Sequence, residues 1–251
     1  MAKAPRYEPE RDRGDAVDRL EERLAARVAA LRAELAGLGA GHVRIVAVTK
    51  THPLQVVAAA LRAGLEDLGE NYAQELVAKA RALEVQGASA RWHFIGQIQR
   101  NKLAELVPLV SVIQSVSRAT ELARLGRLGF AGEVFVQVAP PGAGEGRGGA
   151  ASGEVPALVE QGQQLGLQVV GLMAVAMPGP EAEVGKFFRS VRALGDALDL
   201  REFSMGMSGD YRIAVREGAT ILRLGSAIFG PRAQGGARGG EREVSWHHFD
   251  G

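Results

Sequence analysis

The chain of 251 residues sets 30 Lys and Arg against 29 Asp and Glu, a formal net charge of +1, with 46% hydrophobic and 24% charged residues, 33 glycines and no cysteine. That balance gives no general reason for a nucleic-acid or membrane partner. The missing thiols exclude disulfides, Cys-ligated zinc, iron–sulfur clusters and a catalytic cysteine, which fits a cytoplasmic home.

The opening MAKAPRYEPERDRGD lacks the apolar core of a secretory signal, and no apolar stretch approaches the ~20 residues of a membrane span. Residues 1–14 are polar and carry Pro5 and Pro9, so a disordered arm is expected there. Apolar residues then recur at helical spacing (Val17, Leu20, Leu24, Val28, Leu31, Leu35, Leu38) until GLGAG, which predicts a helix over 15–38. VRIVAV (43–48) is a β-branched run without helical period, as a buried parallel strand requires, and Pro53 opens the next helix, which runs to Gly64.

The beat repeats. Strands are predicted at 65–69, 92–96, 111–116, 133–138, 169–175, 202–206 and 221–225. Helices are predicted at 71–85, 97–106, 118–128, 154–165, 181–198 and 209–217. About eight βα units in roughly 200 residues fit a single closed (β/α)₈ TIM barrel over 15–232, with an open doubly wound sheet as the rival. The helix over 15–38 then replaces the missing last helix or caps the barrel bottom. The tail 233–251, with GGARGG, is expected to be flexible.

Several motifs fail. GEGRGG (144–149) matches a dinucleotide turn, but it lies in a glycine-rich loop and VVGLMAVAM follows where an acidic residue should hold the ribose. GMSGD has Asp210 where a nucleophile elbow needs glycine. The histidines are scattered, so no metal site is supported; His93 in WHFIG reads equally as a core-edge residue bonded to backbone.

In a parallel barrel, chemistry sits at the C-terminal strand ends. The first strand ends in Thr49 and Lys50 (AVTKTHP), and a lysine against an apolar wall has a lowered pKa and forms Schiff bases with aldehydes. The second ends in Glu70 and Asn71. The seventh and eighth run into MGMSGD and RLGSAIFG, where backbone N–H groups and hydroxyls make an anion cradle, expected opposite Lys50. Aldehyde and phosphate together suggest pyridoxal 5′-phosphate. Arg223, inside the last strand, would donate a hydrogen bond to the pyridine nitrogen.

AVTKTHP, GENYAQEL, WHFIGQIQRNK, GLMAVAMP, FSMGMSGDY and ILRLGSAIFGPR together resemble the pyridoxal-phosphate homeostasis protein family, whose members are similar to the barrel of alanine racemase. The resemblance implies a fold-type III barrel without the C-terminal β-domain of alanine racemase. It implies pyridoxal phosphate as an internal aldimine on Lys50. Met207 and Ser208 match the first phosphate-binding turn, Gly225 and Ser226 the second, Arg223 the arginine facing the pyridine nitrogen, and Asn71 a pocket residue near the cofactor. Ala139, Arg147 and Ser117 depart from the family pattern around the fourth- and fifth-strand ends.

Two functions follow. One is a non-catalytic carrier that buffers or delivers cofactor, with apo pyridoxal-phosphate enzymes as partners. The other is an amino-acid racemase of the alanine racemase type. A Schiff-base aldolase without cofactor is a third. An arginine cannot accept a proton, so it leaves the ring a weaker electron sink. A racemase of this type needs a second base, a tyrosine that an added β-domain supplies through a dimer; Tyr7, Tyr72 and Tyr211 are the only tyrosines, and the residues after the barrel hold none. Both points favour the carrier, and with no dimerising domain visible in the sequence a monomer is expected. Gly206, Gly209 and Gly225 are expected where backbone must approach the phosphate or turn sharply.

Overall fold

The computed structural model describes residues 9–143 and 148–231. Most of the predicted arm, residues 144–147 of GEGRGG with Arg147 among them, and the tail lie outside the described residues. Eight parallel strands close a barrel in sequence order: β1 (Arg44–Val48), β2 (Asp67–Glu70), β3 (Arg91–Phe94), β4 (Val112–Val116), β5 (Glu133–Val138), β6 (Gln168–Ala174), β7 (Glu202–Met205) and β8 (Ile221–Leu224). β8 pairs back onto β1 with Val46 beside Arg223. The open-sheet alternative is thereby excluded.

Helices alternate with the strands: α2 (Leu54–Arg62), α3 (Ala73–Val85), α4 (Leu103–Leu106), α5 (Ala119–Arg127), α6 (Val155–Gln164), α7 (Glu181–Ala197), α8 (Tyr211–Arg216) and α9 (Ser226–Phe229). The first helix, α1 (Pro9–Gly37), begins six residues before the predicted start, inside the stretch expected as an arm. It packs against α2 and α9 and so stands in for a full-length last helix rather than capping the barrel bottom. Arg27 donates to the Ile228 carbonyl at 3.1 Å and Tyr211 to Glu34 at 2.9 Å, tying α1 to the β8 side of the barrel.

The helix predicted over 97–106 shrinks to α4. Gly96 lies so close to β2 that a Cβ would sit 1.8 Å from the Asn71 carbonyl oxygen, and Ile98 is buried, so this segment is held as a loop across the barrel rim.

The pleat divides the core in two. Val46, Val112, Phe135, Met173 and Ile221 fill the barrel interior. Residues of opposite parity, such as Leu68, Phe203 and Leu222, pack outward against the helices. Each fully buried side chain of this size contributes about 1.5–3 kcal/mol. At the N-terminal end of the barrel the first residues of several strands pair, Arg44 with Glu202 at 3.0 Å and Arg91 with Glu133 at 2.8 Å, which leaves the opposite end for chemistry.

Candidate functional site

Lys50 stands two residues past the end of β1 and is half-buried. By the alternation that turns Val46 into the barrel, Lys50 belongs to the inward parity at the C-terminal mouth. The backbone on either side of it is clamped. Lys79 on α3 donates to the Thr49 carbonyl at 2.7 Å, and the Thr51 N–H donates to Glu75 at 2.6 Å. Thr51 has φ 66, a left-handed conformation unfavourable for a β-branched residue. A strained residue beside a strand-end lysine is typical of a functional turn held by its surroundings.

The clamp rests on a buried cluster. Lys79 also bonds Glu70 and Glu75, each at 2.7 Å, and the Thr49 hydroxyl donates to Glu70 at 2.7 Å. Thr49 and Glu70 are fully buried. Two carboxylates share one ammonium here. Burial pushes the Glu70 carboxyl above its usual range, Lys79 and Thr49 oppose the shift, and Glu75 adds to it. Glu70 Oε2 and Asn71 Oδ1 are buried with no hydrogen-bond partner among the described residues. Such atoms ask for a ligand or water.

The other part of the site follows β7 and β8. The Ser208 hydroxyl oxygen receives the backbone N–H groups of Gly225 at 3.2 Å and Ala227 at 3.1 Å. Two amides converging on one oxygen is the geometry of an anion cradle. Ser226 is exposed beside it. The Met207 N–H is taken by Asp210 at 2.6 Å, so this turn presents the Ser208 hydroxyl rather than the Met207 amide. Because β8 pairs with β1, the cradle is adjacent to Lys50, not opposite as expected; a Cβ on Gly225 would lie 3.8 Å from that of Val48.

The glycines divide by cause. Gly209 and Gly225 have open space where a Cβ would stand, apart from Val48 near Gly225. Gly206 is required by φ +91 and by Ala214, 2.6 Å from a would-be Cβ, so packing against α8 explains it rather than approach to a phosphate.

Arg223 lies one layer below the mouth and is 3% exposed. It donates to the Ser204 carbonyl at 2.6 Å, the Ser204 hydroxyl at 2.7 Å and the Ala174 carbonyl at 2.8 Å. Burial brings its pKa down to about 10, opposed by Asp210, so it is charged at neutral pH. Asn71 lines a cleft of about 410 Å³ at the rim with Tyr72, Gly96 and Gln97. His93 bonds side chains, not backbone: Asp67 at 2.7 Å and Gln114 at 2.8 Å. Burial lowers its pKa against the pull of Asp67. For Asp67, burial pushes upward, but the His93 bond and the charges of Arg91 and Arg44 hold it below its usual value.

Sequence reasoning missed Lys79, Glu75, Gln114 and Ser204. The Glu75–Lys79 spacing of four on a predicted helix was the one available signal for the clamp. Among the described residues no group of three or more metal-binding side chains gathers, and no helix is long and apolar enough to cross a membrane.

Barrel and mouth together define a single-barrel protein of the alanine racemase type: residues 21–233 match the family model for the alanine racemase N-terminal domain. More narrowly, the chain belongs to the pyridoxal phosphate homeostasis protein family. It is 38% identical to the protein of that name from Pseudomonas aeruginosa, over 86% of this chain and 97% of that one. It is 40% identical to the one from Deinococcus radiodurans, over 77% and 92%. The solved structure of PipY from Synechococcus elongatus with PLP bound superposes with a TM-score of 0.75 at 33% identity, covering 82% of this chain and 100% of PipY.

Proposed function

We propose that this chain binds pyridoxal 5′-phosphate and serves its homeostasis as a cytoplasmic monomer, buffering or delivering the cofactor without turning over a substrate. The observation that carries the reading is the adjacency of a clamped strand-end lysine, Lys50, to the Ser208–Gly225–Ala227 cradle, with Arg223 one layer beneath. The unpartnered Asn71 Oδ1 fits a ligand at the same rim. Relatives that carry the homeostasis name, and PipY with its PLP, support it.

When bound, the cofactor supplies an aldehyde that condenses reversibly with amines and a ring that withdraws electrons. Lys50 holds it through Nζ; Ser208 with the Gly225 and Ser226 turn, and the Met207 turn beside it, hold the phosphate; Asn71 borders the pocket. Arg223 donates a hydrogen bond to the ring nitrogen and has no proton-accepting atom, so it keeps that nitrogen unprotonated and the ring a poor electron sink. The Tyr211 hydroxyl is committed to Glu34 on α1 and does not serve as a second base. These features favour holding over carbanion chemistry.

Titration of the purified protein with pyridoxal phosphate is expected to produce a yellow species that Lys50→Ala does not form. Mixing with an apo cofactor-dependent enzyme is expected to restore that enzyme's activity. Robust racemisation of any amino acid, abolished by Lys50→Ala, would overturn the carrier reading in favour of the racemase.

A further inference from the structure

A continuous line of polar side chains crosses the barrel interior beneath the mouth. It starts at Arg223 on β8, which donates to the Ser204 hydroxyl on β7 at 2.7 Å. Ser204 donates to Gln114 Oε1 on β4 at 2.7 Å. Gln114 Nε2 faces His93 Nδ1 on β3 at 2.8 Å, and His93 Nε2 faces Asp67 on β2 at 2.7 Å. Ser204 and Gln114 are fully buried and His93 is 1% exposed.

The chemistry of the end member orders the whole line. A guanidinium has donors only. The Ser204 oxygen therefore accepts from Arg223, and its own proton goes to Gln114 Oε1. The Gln114 amide nitrogen must then point at His93, whose Nδ1 has to be bare to receive it. The remaining His93 proton sits on Nε2 and goes to the Asp67 carboxylate. Protonating His93 on Nδ1 would set two donors against each other. Flipping Gln114 to avoid that would aim a second donor at Ser204, whose hydroxyl would lose its acceptor.

We infer that Ser204, Gln114, His93 and Asp67 are positioning residues for Arg223, forming a one-way hydrogen-bond line that fixes His93 as the neutral Nε2–H tautomer and aims the guanidinium at the cofactor ring. The role rests on the reading of Arg223 as the ring-nitrogen partner. The order of the line does not, because it is a property of the protein alone. Asp67 stands on the far side of His93; burial pushes its carboxyl upward, but the His93 bond, backed by the charges of Arg91 at 3.4 Å and of Arg44, holds it below its usual value, as suits the terminal acceptor.

The first measurement uses the ¹⁵N-labelled protein without cofactor. Long-range ¹H–¹⁵N correlation of the His93 ring is expected to show the Nε2–H tautomer at neutral pH. Ser204→Ala removes the oxygen that transmits the order from Arg223, so His93 is expected to become a mixture of tautomers; Gln114→Leu is expected to do the same if Ser204→Ala fails to fold. With pyridoxal phosphate loaded, release to an excess of scavenger is expected to speed on the order of tenfold in either variant, as for the loss of one charge-assisted bond. Borohydride should still trap the cofactor on Lys50. An imidazolium or an Nδ1–H tautomer in the parent overturns the line, as do folded variants with unchanged tautomer and unchanged release. A parent that takes up no pyridoxal phosphate overturns the functional reading instead.

Discussion

Replacing Lys79 with methionine keeps an unbranched stem but removes three hydrogen bonds at once, to the Thr49 carbonyl, Glu70 and Glu75. Glu70 is fully buried, and its Oε2 has no hydrogen-bond partner among the described residues even in the parent, so the variant leaves a buried carboxylate whose remaining partner there is the Thr49 hydroxyl. Removing one member of a buried ion pair costs about 3–5 kcal/mol, because the other charge stays desolvated. For a chain of this size that corresponds to a fall of about 6–20 °C in Tm.

The loss depends on pH with a definite sign. Glu70 is already held above its ordinary value of 4.5 in the native state, and losing Lys79 raises it further. Native Glu70 then keeps its proton to higher pH than the unfolded chain does. Between those two values the native state binds more protons, so stability falls as pH rises. Urea unfolding followed by circular dichroism should show the deficit of Lys79→Met growing from about pH 5 to about pH 8. Adding Glu70→Gln removes the uncompensated charge and should recover most of the loss. A Lys79→Met protein within about 0.5 kcal/mol of the parent at both pH values would refute the cluster as a buried ion pair.

Two backbone predictions test the turns around the site. Gly206→Ala must adopt φ +91 with its Cβ 2.6 Å from that of Ala214, and should cost about 2–5 kcal/mol by urea unfolding. Thr51→Gly relieves the strain at φ 66 but adds freedom to the unfolded chain, so it should lie within about 1 kcal/mol of the parent. A large loss there would mean that the Thr51 side chain, not the Glu75 bond to its amide, holds the turn.

The barrel was legible because its strands are buried on both faces. Runs such as VRIVAV and EVFVQV have no other stable home, and strands were placed within about two residues. The 97–106 segment failed because Gly96 must approach the Asn71 backbone, a long-range contact that local pattern does not carry. The cradle's position beside Lys50 was implicit in closure: in a closed barrel the first and last strands are neighbours, so a site built from them is compact. Lys50, Ser208 and Gly225 were readable as residues at or after strand ends, Arg223 as a residue inside the last strand, and all four as parts of a family motif. The supports beneath them were not. Lys79 meets partners from β1, β2 and its own helix, and Ser204, Gln114 and His93 come from three different strands.

β2 shows how one strand serves both supports without mixing them. Asp67 points into the barrel and ends the line from Arg223, whereas Glu70, of opposite parity, meets Lys79 on α3 in the helix layer. The two networks share no residue. The turn that carries Lys50 and the guanidinium of Arg223 are thus each held by a network of their own, one from behind the wall and one from within it. Residues without shared partners combine additively to within about 0.5 kcal/mol, whereas members of one network couple by roughly 0.5–3 kcal/mol. A double-mutant cycle of Lys79→Met with Ser204→Ala, read by urea unfolding, should close to within the smaller figure. Ser204→Ala with His93→Leu, both on the interior line, should not. Coupling above about 1 kcal/mol in the first cycle would show that the wall transmits between the two supports, and that the site is one unit rather than two.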